Sequence, residues 1–369
     1  MRFLECVDLN PKITMTKGHI YPFVEMANVS TCYRSPDNVE TKPFDSGVKF
    51  QDGDTVIARI TPCLQNGKRF YCQNIGTGFG STEYLVFRPK DDSVDNKYLY
   101  YFMMTDFVKQ SMINSMTGAT GRQRVNNDVF NDIEVCFPDI DIQRKIGEIL
   151  SAYDNLIENN QKQIKLLEEA AQRLYKEWFV NLRFPGYEDT PIVDGVPEGW
   201  KKVGLASIAP IVTGKKDANF GAPDGKYLFF TCAQEPIKAP SYSFDCDAVI
   251  LAGNGDFNVK LYRGQFEAYQ RTYVFSPYDK NHLYLLYHAV RESMRQLFQG
   301  ASGSTIKFLT KHMLEDILVY IPEDSILQAY NSNCEAIQKK IERLKEQIIC
   351  SQEARDRLLP KLMSGEIEV

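Results

Sequence analysis

Apolar residues follow a heptad-like period in two long blocks and strict alternation in many short ones. From Ile142 to Phe179 the positions Ile146, Ile149, Tyr153, Leu156, Ile164, Leu167, Ala170, Leu174 and Trp178 are apolar, and polar runs such as residues 158–163 fill the gaps. This spacing predicts a long amphipathic helix with a narrow seam. A second block, Ile326 to Met363, carries Tyr330, Cys334, Ile337, Ile341, Leu344, Ile348, Leu358 and Leu362 on its stripe. The short alternating runs, among them residues 54–60 and 84–87 and, further on, 248–252 and 272–275, read as strands bounded by turn residues.

These blocks are copies of one another. A shift of 184 positions lays Tyr153 on Ile337, Ile157 on Ile341, Ile164 on Ile348, Ala170 on Ala354 and Leu174 on Leu358. The same shift lays Asp132 to Pro138 on Asp316 to Pro322, each a short strand closed by a proline that stops backward continuation of the helix. Upstream, at an offset of 182, Gly118-Ala119-Thr120-Gly121 answers Gly300-Ala301-Ser302-Gly303, each after an apolar helical stretch, Tyr98 to Met112 and Tyr284 to Phe298. A half-chain repeat of this kind predicts a duplicated unit of globular domain plus helix. The expected organisation is α+β. Residues 1–140 and 187–325 form two globular domains with mixed or antiparallel sheets, residues 141–186 a central helix and linker, and residues 326–369 a C-terminal helix.

Composition narrows the class. With 369 residues, 43% hydrophobic and 25% charged, the chain has the makeup of folded protein with room for two ordinary domains. Its nine cysteines are spread singly, without a C-x-x-C pair, which points to reduced thiols and away from a disulfide framework or zinc ribbon. Residues 1–10 carry Glu5 and Asp8 and lack a secretory pattern, and no apolar run approaches the roughly 18 residues that span a bilayer. A cytoplasmic protein without membrane contact is expected. The formal net charge of -5 excludes a uniformly basic DNA binder, so any grip on phosphate needs local positive charge or help from partner subunits.

Several segments resemble the specificity subunit of type I restriction-modification systems, and the likeness covers nearly the whole chain. Its most specific part is Val196-Pro197-Glu198-Gly199-Trp200-Lys201, followed by Ile211-Val212-Thr213-Gly214-Lys215, which is similar to that family's domain start. Residues 52–64, the helix end from Leu358 to Ile367, and Ala170 to Val180 ending in Lys176-Glu177-Trp178-Phe179-Val180 are similar in kind. The amino-terminal half departs from the pattern by beginning at Arg2-Phe3-Leu4-Glu5 without the proline-glutamate-glycine-tryptophan start. The resemblance implies two target recognition domains, each reading one part of a bipartite site in double-stranded DNA. It further implies that the long helices pack as an antiparallel coiled coil through Ile146, Tyr153, Ile164, Leu167, Leu174, Trp178, Ile337, Ile341, Leu344, Ile348 and Leu358. The implied partners are two adenine methyltransferase subunits and, optionally, ATP-dependent endonuclease and translocase subunits. A helix of this length spans roughly 55 to 60 Å, enough to separate half-sites by on the order of one duplex turn.

Catalytic signatures are missing from the sequence. There is no G-x-x-x-x-G-K-[ST] loop, no Asn/Asp-Pro-Pro-aromatic tetrapeptide and no strand-linked G-x-G-x-x-G, so neither catalysis nor a cofactor is expected. His282 and His288, six residues apart, miss the spacing of three or four that pairs helical metal ligands, and read as packing or surface residues.

DNA reading needs Arg or Lys for phosphates and guanine edges, and Asn or Gln for adenine edges. In the first half the candidates are Arg59, Asn66, Lys68 and Arg69 of a hairpin-like turn, and Thr120, Arg122, Gln123 and Arg124 beside glycines that allow close backbone approach. In the second half they are Lys215, Lys216, Asn219, Gln234, Asn254, Asn258, Lys260, Gln270, Arg271, Ser302, Ser304 and Lys307. Different residues in equivalent loops imply an asymmetric target. Two other readings fit the same sequence: a coiled-coil adaptor that binds proteins, and a recognition module working with a single-chain restriction enzyme.

Overall fold

The computed structural model describes residues 1–255, 257–301 and 307–369. The chain divides into two units, residues 1–163 with 343–369, and residues 164–342.

In the first unit the strands Val7–Leu9, Tyr84–Pro89, Thr55–Ala58 and Arg69–Tyr71 lie side by side in that order, all antiparallel. A second sheet runs Glu40–Pro43, Ile20–Val24, Gly78–Gly80, Val48–Phe50, with its middle pair parallel. Strand alternation assigns the two faces. Ile57, Leu85 and Phe87 pack with Phe3, Leu99 and Phe130, while Val56, Tyr84 and Val86 pack with Val24, Phe50 and Phe70. Aromatic edges lock the second group, Phe70 lying 5.3 Å from Phe50 and 5.7 Å from Tyr84, near right angles to each.

In the second unit a sheet of six described strands runs Val212–Thr213, Thr272–Phe275, Phe244–Ala252, Val259–Ala268, Tyr227–Phe230, Ile237–Ala239. The order and directions repeat those of the first unit. Val259–Ala268 pairs parallel with Tyr227–Phe230, just as Gly78–Gly80 pairs parallel with Ile20–Val24. The difference is continuity. The nine-residue Phe244–Ala252 and ten-residue Val259–Ala268 each correspond to two short strands of the first unit. There Gly53, at φ +93°, breaks one strand and residues 72–77 break the other. The duplication read from the sequence thus extends to sheet topology. Val249 and Leu251 face the helix Leu283–Gly300, and Ala248 and Ile250 the opposite face.

Three expectations change in detail. The stretch Tyr98 to Met112 is two helices, Asn96–Phe102 and Asp106–Asn114, because Thr105 takes an extended conformation and starts the chain afresh. The expected strand at 132–138 reduces to a bridge between Arg2 and Glu134, since only Met1 to Phe3 lie opposite it. Its copy Leu318–Ile321 pairs fully with Lys201–Gly204. Asn66 to Arg69 is no tight hairpin but the end of a longer connection in which Asn66 N–H donates to Pro62 and Lys68 N–H to Cys63.

The long helices are Ile140–Tyr175, widening to a π-turn at Lys176–Val180, and Asp324–Ser364. The second helix buries its expected stripe at Tyr330, Cys334, Ile341, Leu344, Ile348 and Leu362, and Ile337 and Leu358 are half-buried. On the first helix Ile146 is buried and Tyr153, Ile164, Leu167, Leu174 and Trp178 half-buried. Leu156 and Ala170, however, are exposed, while the adjacent Ile157 and Ala171 are buried. The seam carries the polar Asp154 and Asn160, which shift the buried line by one residue.

Within the first unit Asp154 accepts from Tyr101 at 2.5 Å and from Arg355 at 2.6 Å, all three side chains being buried. Arg34 donates to Asn155 at 2.7 Å and, in fork fashion, to Glu158 at 2.9 and 3.2 Å. Within the second unit, Tyr330 meets Tyr175, Phe179 and His288 edge-on, and Tyr175 stacks on His288. The His288 Nδ1 lies 2.7 Å from the Tyr330 hydroxyl and 3.0 Å from the Tyr284 carbonyl.

Burial pulls the His288 imidazole down to about 3, so it is neutral in the folded chain near neutrality. Its folded value lies below the unfolded one, near 6.5. The unfolded state therefore binds the extra proton on acidification, and the stability present above about pH 6.5 is lost as pH falls toward 3. The unfolding midpoint of the full chain should drop between about pH 6.5 and pH 4. His288→Gln should flatten that part of the profile, and an identical slope in the variant would count against this assignment.

Candidate nucleic-acid interface

At one end of each sheet the loops holding the candidate residues converge on a shared backbone frame. In the first unit Arg59 N–H donates to the Glu83 carbonyl at 2.8 Å, Val125 N–H to the Arg59 carbonyl at 3.0 Å, and Ile60 bridges to Arg124. In the second, Gly253 N–H donates to the Arg271 carbonyl at 2.9 Å, Leu309 N–H to the Gly253 carbonyl at 2.8 Å, and Asn254 bridges to Phe308. The frame occurs twice, but the side chains differ. Arg59, Glu83 and Arg124 stand where Gly253, Arg271 and Phe308 stand in the copy.

Around the first frame, residues 117–124 form a closed loop pinned by reciprocal bonds of 2.9 Å between Thr117 and Arg124. Gly118 and Gly121 take positive φ at its tip, where Thr120 and Arg122 are exposed. Gln123 is half-buried, and its carbonyl accepts from Thr61 N–H at 2.9 Å. Arg124 is held by Glu83 in a fork with contacts of 2.6 to 3.0 Å. The Arg124 hydrogen bonds keep the Glu83 carboxyl below its ordinary range.

Three other cations are turned to structural use. Arg59 donates to the Val125 carbonyl at 2.9 Å, Lys68 to the Met26 carbonyl at 2.7 Å, and Arg69 to the Gly67 carbonyl at 3.0 Å. Asn66 is exposed. The first frame thus ties Arg59 to the loop that carries Gln123 and Arg124, with Thr120 and Arg122 exposed at its tip, while Asn66, Lys68 and Arg69 lie on the connection that follows Arg59. Its loops, 59–69, 81–83 and 117–125, carry five cations and one carboxylate, a local positive field in a chain of net charge -5.

Around the second frame, Lys216 bridges to Tyr269, and its ammonium lies 4.3 Å over the Phe220 ring. Gln270 N–H donates to the Lys216 carbonyl, and the Gln270 side chain reaches Asp217 at 3.5 Å. Asn258 donates to the Cys232 carbonyl at 3.1 Å and contacts Lys260, whose ammonium also reaches the Ala233 carbonyl at 2.9 Å. Burial lowers the Lys260 pKa from its usual value. Lys307 donates to the Phe298 carbonyl at 3.2 Å and sits 4.0 Å over that ring. Lys215, Asn219, Gln234 and Arg271 are exposed, and Asn254 is half-buried. Ser302 and Ser304 lie outside the described residues.

Glu83 and Phe308 were not legible as site residues from residue type, since one is acidic and the other apolar. The signal was nevertheless present: laying the strand Tyr84 to Phe87 on Thr272 to Phe275 puts Glu83 opposite Arg271. His282 begins the helix Leu283–Gly300 as its cap, and His288 is core. Among the described residues no three His, Cys, Asp or Glu side chains group as metal ligands, and no helix is long and apolar enough to cross a membrane.

Residues 11–169 and 197–348 match the family model of the type I restriction modification DNA specificity domain. The chain is 42% identical over 130 residues to the type I restriction enzyme EcoDI specificity subunit of Escherichia coli, a stretch covering 35% of this chain and 29% of that protein. It is 26% identical over 316 residues to the type I restriction enzyme MjaIX specificity subunit of Methanocaldococcus jannaschii, covering 76% of this chain and 71% of that one. The match therefore spans under a third of the first relative and about seven tenths of the second. In fold the chain is similar to the S subunit of a type I restriction-modification system from M. genitalium, with a TM-score of 0.55 at 14% identity over 98% of this chain and 95% of that one.

Proposed function

Because the chain belongs to the type I restriction modification DNA specificity domain family, we propose that it is a non-catalytic subunit that reads an asymmetric bipartite target in double-stranded DNA. It positions two adenine methyltransferase subunits there, and endonuclease and translocase subunits where the system has them. Its compartment is the cytoplasm, a location supported by nine cysteines spaced without a disulfide framework.

The observation that carries this reading is the repeated frame with unlike side chains. One backbone arrangement used twice supports two readers of one kind, and the exchange of Glu83 and Arg124 for Arg271 and Phe308 supports two different half-sites. Phosphate attraction comes from the local excess of cations at the first frame. At the second, the loops 213–219, 231–235, 253–260, 269–272 and 307–309 carry five cations and three carboxylates. This weaker excess makes the second half the more dependent on partner subunits for grip. The first-half candidates Arg59, Asn66, Lys68, Arg69, Thr120, Arg122, Gln123 and Arg124 act as one surface, with Arg122 among its base-reading side chains.

The test is the methylation pattern of the host genome with and without this protein. Its removal should erase one gapped, two-part N6-methyladenine motif and leave other motifs intact. An unchanged pattern, in cells whose partner methyltransferase is expressed, overturns the proposal and returns the protein-binding adaptor to consideration.

A further inference from the structure

The shared frame places an ion pair in one half where, among the described residues, the other half has an exposed arginine and an exposed ring at the matching positions. Glu83 occupies both the Nε–H and one Nη2–H of Arg124. That leaves three of the five guanidinium donors and several carboxylate lone pairs for an outside group. Both side chains reach solvent, at 46% for Arg124 and 22% for Glu83. The pair is therefore presented outward, as a donor and an acceptor side by side.

In the second half Arg271 is exposed, and the ring of Phe308 stands 44% exposed at the position of Arg124. Elsewhere in the same set of loops Phe298, 51% exposed, packs edge-on to Phe257 at 5.9 Å, and the Lys307 ammonium lies over the Phe298 ring. An exposed ring in a loop set that also presents an exposed arginine is suited to an apolar group near a hydrogen-bonding one.

Resting on the DNA-reading function above, we propose that Glu83 with Arg124, and Arg271 with Phe308, are specificity-determining pairs that read chemically different base edges. The first pair takes an edge that offers an exocyclic amine, which the carboxylate accepts, next to an acceptor for the remaining Arg124 donors. The second takes the twin acceptors of guanine through the Arg271 fork, next to a thymine methyl against the Phe308 ring.

The experiment uses the full chain assembled with its methyltransferase subunits, duplexes randomised at both half-sites, and sequencing of the bound pool. The transplant Glu83→Arg with Arg124→Phe should change the preferred bases at one or two first-half positions by about tenfold in enrichment. The second half of the motif should stay as it was. The reciprocal Arg271→Glu with Phe308→Arg should alter the second half alone.

A transplant that binds with its motif unchanged overturns the assignment while leaving DNA reading intact. Failure of the unaltered assembly to enrich any gapped motif overturns the reading beneath it. If a transplant loses binding altogether, the conservative Glu83→Gln decides, because it keeps the shape and removes the charge. It should weaken the preference for the amine-bearing base at least about fivefold, and an unaltered preference rejects the pair.

Discussion

Replacing Asp154 with alanine should destabilise the full chain by about 3 to 5 kcal/mol, the cost of stranding a buried charge. Arg355, 6% exposed in its side chain, would lose the carboxylate 2.6 Å away and keep the exposed Asp356 as its carboxylate partner. Burial opposes the Arg355 charge, and the neighbouring carboxylates outweigh it, holding the guanidinium above its ordinary pKa. Burial also pushes the Tyr101 phenol up, so it remains a donor that would lose its acceptor. The informative partner is the double variant Asp154→Leu with Arg355→Met, which removes both charges and keeps volume. It should recover most of the loss, since well-packed apolar replacements of buried pairs are often neutral or stabilising. Urea unfolding of the three proteins checks this. A single variant within about 1 kcal/mol of the parent, or a double variant no better than the single, would show that the Asp154–Arg355 pair does not hold the two helices together as a buried ion pair.

The second large effect is expected at Arg122. Its side chain extends from a loop tip whose base is closed by backbone bonds, so its truncation leaves the frame untouched. Arg122→Ala should cost about 1 to 3 kcal/mol of discrimination at one position of the first half-site. Arg122→Lys should not restore it, because an ammonium lacks the planar fork that matches a guanine edge. Methylation sequencing of cells carrying each variant gives the readout, with circular dichroism confirming the fold. Equal loss at both half-sites from an intact protein would contradict local reading by this loop.

The duplication was legible because it is carried by many positions at once: two heptad stripes, two proline-closed exits and two glycine loops. The exact seam was not. Ile149-Leu150, Leu156-Ile157, Leu174-Tyr175 and Trp178-Phe179 are apolar neighbours, so a stripe drawn through either member fits the period equally well. The choice is made by Asp154 and Asn160, polar residues that the pattern would assign to solvent. They are buried because Arg355 and Gln347 reach them from the other helix.

At the candidate interface, residue type identified where positive charge gathers but not which cations are spent on the backbone. Arg59, Lys68, Arg69 and Lys260 donate to main-chain carbonyls, contacts between residues up to 66 positions apart that local sequence does not encode. Residue type does not mark Glu83 as a phosphate ligand, yet its fork holds Arg124.

The interruption of two strands in the first half, against their continuity in the second, bears on how each half yields under load. A ladder of eight paired positions, as between Phe244–Ala252 and Val259–Ala268, resists local bending because flexing one point breaks bonds on both sides. Where Gly53 and residues 72–77 divide the ribbon, a small angular change is confined to the gap. In the first half such a change stays local to the interruptions, whereas in the second it is shared along the longer run of paired positions.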